Sequence, residues 1–398
     1  MVRVAFARHA DAAQAVDQCR RSLAGATPRL LLVFCGGKHD PHAVLGALRQ
    51  SFGEDVPVVG GSAAGAIARE GFGYSGLEIG IAAITSPEVQ PRIIVQPGLD
   101  HGEEAAGECL GRRIAQACEH GAVVLFLYDS VAEMRPLRLH PGSALTAGLQ
   151  RGLDGHAATL IGGGMLTDLN LSDSWIFDGT GTARHAVVAL AFPSAVRAQT
   201  VILHGCRPAS SFMEITRIAG AEVFELDGEP ALPVIERMLG IPLQGSRTEE
   251  LSLLATLGEK QGDPFAPYDE NAYVNRLILR VDRTSGSVTL FEPDFQTGTR
   301  VQIMSRDNGL MLDSVRQGVG AMNERLAGAD NLLALYIDCA GRVSARSGAP
   351  QEEAELVGQG LAPGVPLLGF YSGVEIAPFG GYSRPLDWTG VLTVLQRA

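Results

Sequence analysis

The strongest constraint in this chain is a pattern that occurs three times along it. Apolar runs rich in strand formers, "LLLVFCGGKHD" (30–40), "AVVLFLYDS" (122–130) and "NLLALYIDCAGR" (331–342), each end in polar or glycine residues. Their unbroken apolar character predicts strands covered on both faces. A segment readable as a helix follows each one: "PHAVLGALRQSF", "SALTAGLQRGL" and "QEEAELVGQGL". A second apolar run then stops at glycine, in "VPVVGGSAAGAI", "ATLIGGGMLTD" and "VPLLGFYSGVEI", and a third strand closes the unit in "LEIGIAAI", "HAVVALAF" and "WTGVLTVL". This order predicts an α/β fold of repeated strand-helix-strand-strand units with glycine loops at strand ends, two copies before about residue 193 and one at the end. Parallel strands joined by helices place such loops at the edge where α/β proteins bind ligands.

Between the second and third copies the pattern changes. "TVILHGCRPASSFMEITRIAGAEVFELDG" reads as short alternating strands, "PALPVIERMLG" as a helix starting at Pro230, and "NRLILRVDRTSGSVTLFEP" as a hairpin around Ser285–Gly286. A strand in "TRVQIMSRD" and a helix in "GLMLDSVRQGVGAMNERLAG" follow. The 398 residues exceed what one core usually holds, so two domains are expected, residues 1–197 and 198–398. The stretch "EKQGDPFAPYDENAY" is the longest loop candidate and is expected to border a pocket.

Charge narrows the partners. A formal net charge of −12, with no basic run longer than Arg20–Arg21 or Arg112–Arg113, disfavours nucleic acid and anionic membrane surfaces. No secretory signal and no spanning apolar stretch is apparent, which predicts a cytoplasmic protein off the membrane. Cys19, Cys35, Cys109, Cys118, Cys206 and Cys339 lack a CxxC spacing, as expected for reduced thiols.

Several of these motifs in one order resemble the FIST family, sensory and signalling proteins with an N-terminal and a C-terminal FIST domain. The resemblance rests on "VPVVGGSAAGAI", "LIGGGMLTD", "HGCRP" with "ITRIAGAEVFELDGEPAL", "MSRD", "DCAGR" and "GFYSGVEIAP". It implies a cytoplasmic small-ligand sensor, not an enzyme, acting in signal transduction on a partner histidine kinase or cyclic-nucleotide enzyme. The haem-binding, nitric-oxide-sensing branch called NosP adds haem as a cofactor; an amino acid or similar metabolite is the alternative ligand. The sequence leaves a homodimer open. Two departures stand out: Ala66 replaces the acid of the first glycine motif, and in the last copy Glu375 is kept while Val374 takes the usual glycine's place, with Gly373 before it.

The candidate ligand-binding residues are Gly61, Ser62 and Gly65 of the first motif and Tyr371, Glu375, Tyr382 and Arg384 of the last. The first set, with Gly60, would offer backbone N–H groups to an anion if a helix followed, or else form a tight turn. The second set would form a polar ring with an aromatic wall, suited to an amino-acid-like ligand, or else Tyr371 and Tyr382 cover the core edge while Arg384 pairs with Asp387. For haem, the axial candidates are His204, beside Cys206 after a strand, and His140, before Pro141 at a helix entry. The opposing reading of each is an ordinary hydrogen-bonded histidine. A cysteine-dependent hydrolase or transferase using Cys206 or Cys339 is the competing class, against which no GxSxG or HExxH motif is present.

Overall fold

The computed structural model describes residues 2–240, 242–243 and 255–398. The first unit comprises β1 (Val2–Arg8), α1 (Ala12–Ser22), β2 (Leu30–Gly36), α2 (Pro41–Phe52), β3 (Val58–Ala63), a hairpin of β4 (Ala66–Ala68) and β5 (Gly71–Gly73), and β6 (Glu78–Ile84). Helix α2 starts as its sequence dictates: the Asp40 carboxylate accepts from the Ala43 N–H at 2.8 Å, and Pro41 fills the first turn. The second unit repeats the order with β7 (Arg92–Pro97), α3 (Glu103–Ala117) and β8 (Ala122–Asp129). A side hairpin, β9 (Val131–Met134) and β10 (Leu137–Leu139), precedes α4 (Gly142–Leu153) and β11 (Ala158–Met165). The hairpin of β12 (Ile176–Gly179) and β13 (Thr182–Ala183) leads to β14 (Ala186–Ala191).

The third unit opens with β15 (Val196–Leu203) and is then interrupted by a subdomain. This contains β16 (Arg207–Pro208), β17 (Met213–Ala219), β18 (Glu222–Leu226), β19 (Glu229–Pro230) and α5 (Ala231–Leu239), then β20 (Ala255–Lys260), β21 (Tyr273–Asp282), β22 (Ser287–Leu290) and β23 (Arg300–Ser305). The hairpin at Ser285–Gly286 joins β21 to β22, and β23 pairs with both β17 and β20, so the subdomain sheet closes on itself. Its interior is apolar, built from Ile215, Leu226, Ile235, Leu257, Ile278 and Ile303. The third unit resumes with α6 (Asn308–Leu326), β24 (Asn331–Cys339), α7 (Ser344–Ser347), α8 (Glu353–Gly360) and β25 (Leu367–Ser372). It ends in the hairpin of β26 (Glu375–Phe379) and β27 (Tyr382–Leu386) and in β28 (Gly390–Arg397).

Each unit builds four strands of a sheet in the same order: β1-β6-β2-β3, β7-β14-β8-β11 and β15-β28-β24-β25. The pairs β2/β3, β8/β11 and β24/β25 are parallel, as expected for strands joined by helices. Each sheet is finished by a hairpin from another unit: β12–β13 extends the first, β26–β27 the second and β4–β5 the third. The inner faces meet in one central core containing Phe34, Leu127, Ile161, Ile337 and Phe370, while the helices of each unit cover its outer face. Gly60, Gly162 and Gly369 take the same place in the three parallel pairs. A Cβ there would lie 1.9, 1.8 and 2.2 Å from the carbonyl oxygens of Val33, Phe126 and Tyr336, so only glycine lets the strands approach this closely.

Candidate functional site

A cleft opens where the parallel strands of the second and third units end and the inserted subdomain leans over them. Its smaller chamber, about 30 Å³, has Cys339 and Ser372 from the ends of β24 and β25, Leu277 of the subdomain, and Asp387 and Trp388 from the β27–β28 turn. The larger, about 220 Å³, reaches Ser130, His140 and Glu292. Leu166, Leu171, Phe291 and Gly373 border both. The walls are thus largely apolar with a few polar groups, the usual make-up of a small-molecule site at the carboxyl ends of parallel strands.

The polar floor is held from below. Asp387 is buried; its Oδ2 accepts from the Leu277 N–H at 3.1 Å, and burial pushes its carboxyl up to about 7. Arg276, also buried, grips Asp294 through Nε (2.6 Å) and Nη2 (2.5 Å) and donates from Nη1 to the carbonyls of Asn275 and Pro385. Arg342 ties the turn to the core by donating to the carbonyls of Trp388 and His204 and pairing with Glu353. Trp388 has φ +57°, uncommon for a bulky residue, and the Arg306 guanidinium lies 4.6 Å over its ring. Among the described residues, Asp387 Oδ1 and Trp388 Nε1 have no hydrogen-bond partner although both are buried.

Glu375 lies directly beneath this floor as the first residue of β26, not on a solvated loop. Its carboxyl accepts from Ser372 Oγ at 2.5 Å and from the Thr389 N–H at 3.3 Å, and burial raises it well above the usual carboxylate range. It positions two residues around the cleft and does not line it. Tyr371 points to the opposite side of β25 from Ser372, toward the helices, where it meets Tyr74 edge-on at 5.6 Å. Tyr382 is exposed at the tip of its hairpin. Arg384 pairs with Glu259 and Asp294 of the subdomain, not with Asp387, because β27 runs along the subdomain interface. The four residues of the last motif therefore do not form one ring.

The first glycine motif also differs from its anion-binding reading. Gly60, Gly61 and Ser62 lie inside β3, and the element after Gly65 is a strand, so no helix terminus backs these amides. Ser62 Oγ accepts from the Trp175 N–H at 3.1 Å, joining β3 to the exchanged hairpin, and a Cβ on Gly65 would lie 2.0 Å from the Gly73 carbonyl. The stretch from Glu259 to Tyr273 does not border the cleft; its Glu270 instead anchors the entry to the subdomain, accepting from the His204 and Gly205 N–H groups at 2.5 Å.

Both histidine candidates have their ring nitrogens engaged. His204 Nδ1 accepts from the Cys206 N–H at 3.0 Å and Nε2 donates to the Glu270 carbonyl at 2.9 Å. His140 Nδ1 meets Glu103 at 2.8 Å and Nε2 meets His185 Nδ1 at 3.0 Å. Neither presents a free nitrogen to iron, so these residues do not fit haem ligation. Burial pushes the Cys206 thiol up to about 12 and raises that of Cys339, opposite to what a nucleophilic thiolate needs. Asp387 entered the sequence reading only as a partner for Arg384, and Trp388, Arg276 and Glu292 not at all, although "PLDWTG" holds a carboxylate and an indole at the edge of a repeat unit.

The architecture is that of an α/β protein made of three interlocked units, with a largely apolar cleft beside the inserted subdomain. The chain belongs to the FIST family: the FIST N domain profile matches residues 29–229 and the FIST C domain profile residues 231–378. FIST domains are small-ligand sensor domains of signalling proteins, sensory rather than catalytic. An uncharacterised protein of Mycobacterium tuberculosis is 24% identical over 389 residues, covering 96% of this chain and 95% of the relative. One of Mycobacterium bovis is 26% identical over 382 residues, covering 93% and 91%. Among solved structures, a cyanuric acid hydrolase from A. caulinodans aligns over 99% of this chain and 98% of its own, with 9% identity and a TM-score of 0.37. Among the described residues no helix is long and apolar enough to cross a membrane.

Proposed function

We propose that this chain is a cytoplasmic sensor that holds a small organic ligand in the cleft between its repeat core and its inserted subdomain, and that it reports occupancy to a partner signalling protein such as a histidine kinase or a cyclic-nucleotide enzyme. The observation that carries this reading is the pair of buried atoms, Asp387 Oδ1 and Trp388 Nε1, which lack partners among the described residues and belong to side chains lining a largely apolar chamber. Leaving such an atom unsatisfied costs about 1–3 kcal/mol, so a ligand that supplies the missing bonds has binding energy available there. Because the subdomain supplies one wall, through Leu277 and Phe291, occupancy would be felt in how it docks.

An amino acid or similar metabolite suits this cleft better than haem, whose two candidate histidines are both committed to other partners. The test is a thermal-shift screen of amino acids and small metabolites on the full chain, repeated with Leu171→Trp to fill the cleft. A ligand that stabilises the wild type and not the filled variant is expected. If the filled variant responds like the wild type, the ligand binds elsewhere and the reading falls. A parallel haem titration should give no saturable Soret band sensitive to His204→Ala or His140→Ala; such a band would restore the haem reading.

A further inference from the structure

Asp387 is 4% exposed, and its two oxygens differ. Oδ2 is held by the Leu277 N–H at 3.1 Å; Oδ1 has no hydrogen-bond donor among the described residues. The neighbouring cation is Arg276, with Nη1 4.0 Å from Oδ1, but that nitrogen's hydrogens go to the carbonyls of Asn275 (3.0 Å) and Pro385 (3.1 Å). Its remaining edge holds Asp294. The guanidinium is near enough to feel Asp387, but both hydrogens of its nearest nitrogen, Nη1, are given to those carbonyls.

Charge along this wall points the same way. Glu259 and Asp294 pair with Arg384, and Asp294 also with Arg276. Glu292 turns to the start of α4, where its carboxylate accepts from the Gly142 and Ser143 N–H groups, each at 2.9 Å, and meets the positive end of that helix. Among the described residues, Asp387 is left with neither a cation hydrogen-bonded to it nor a helix terminus. The chamber beside it is lined mainly by Leu166, Leu171, Leu277 and Phe291, so water offers only partial compensation, and the cation among its lining residues, Arg346, gives its Nη2 hydrogens to the Leu169 carbonyl and Asn170 Oδ1.

We propose that the smaller chamber receives the protonated amino group of a small amine, the ammonium donating to Asp387 Oδ1 while the apolar body of the amine passes Leu166, Leu171 and Phe291 into the larger chamber. This rests on the cleft being the ligand site. A charged hydrogen bond formed out of water is roughly twice as strong as a neutral one, so an ammonium gains more here than a hydroxyl does. Trp388 Nε1, buried and without an acceptor among the described residues, adds a donor for an amine that also carries an oxygen. Burial already raises the Asp387 carboxyl to about 7, with Arg276, Glu292, Asp294, Glu375 and Tyr128 around it, so an arriving ammonium displaces a proton from part of the molecules at neutral pH.

The test uses the full chain and three probes of equal shape: 2-phenylethylamine, 2-phenylethanol and phenylacetate, titrated by calorimetry. The amine should bind about ten-fold tighter than the alcohol, with the acid weakest. Asp387→Asn should weaken the amine about ten-fold and leave the alcohol within about two-fold. At pH 7 amine binding should release about half a proton, read from buffers of different ionisation enthalpy. If the alcohol or the acid matches the amine, and Leu171→Trp abolishes that binding, the cleft stands and the ammonium assignment is wrong. If none of the three binds, the assignment is overturned for this chamber, while a metabolite blocked by Leu171→Trp would still uphold the cleft. Should Asp387→Asn misfold, the wild-type ranking and the proton count decide alone.

Discussion

Replacing Asp387 by asparagine should change how the stability of this protein depends on pH, by an amount the structure sets. Asparagine keeps the shape and an oxygen acceptor for the Leu277 N–H, so the packing is preserved while the titrating proton is lost. In the unfolded chain the carboxyl releases its proton near its ordinary value of 3.8, whereas burial holds it to about 7 in the fold. Between those two values the folded protein binds more protons than the unfolded one, so this group makes stability fall as pH rises. Below about pH 4 the two states are alike, and above about pH 7 the full cost persists. At 1.36 kcal/mol per pH unit, a gap of about three units corresponds to roughly 4 kcal/mol. Urea unfolding of both proteins at intervals from pH 4.5 to 7.5 measures it. Subtracting the variant cancels the other buried carboxyls, and the difference should tilt against the wild type by about 1 kcal/mol per unit. A flat difference across this window would refute the claim that Asp387 is buried without a matching cation.

Three further outcomes follow from particular contacts. Glu292→Ala removes the acceptor shared by the first two amides of α4 and should cost about 2 kcal/mol, with hydrogen exchange accelerating first at Gly142 and Ser143. Gly162→Ala places a Cβ 1.8 Å from the Phe126 carbonyl and should cost about 3 kcal/mol in urea unfolding, whereas Gly320→Ala on the exposed face of α6, with open space around it, should gain up to about 1 kcal/mol. Iodoacetamide at pH 8 should label half-buried Cys109 about 100-fold faster than buried Cys206, followed by peptide mass spectrometry; equal rates would mean that Cys206 is open to solvent.

The units themselves were legible because their signals are local. An unbroken apolar run followed by "DP" and a helical stretch gives β2 and α2, with Asp40 as the cap, from the consecutive residues 30–52. The exchange of hairpins was not legible, since nothing near Ala66 or Ile176 states which sheet those strands join. The last motif failed at its aromatic residues for a reason the sequence did contain. In an alternating strand Tyr371 and Ser372 must face opposite ways, so one of them had to leave the cleft. Glu375 stands in the sequence as a ligand candidate, while in the fold its carboxyl is engaged by Thr389 and Ser372 at the buried start of β26. Asp387 could not be recognised from its neighbours. Its importance lies in a bond that Arg276 does not make, and Arg276 comes from a subdomain more than a hundred residues earlier in the chain.

The hairpin exchange has a consequence for how such a protein can be divided. The first unit gives β4–β5 to the third and receives β12–β13 from the second, while the second receives β26–β27 from the third. The three are linked like people each standing on the next one's coat, and none can step away alone. A fragment ending before β15 would carry β4–β5 with no sheet to join and would leave β11 as an open edge, inviting strands from other molecules. The two halves matched by the family's profiles are therefore tied together by exchanged strands, with the subdomain mounted on one link.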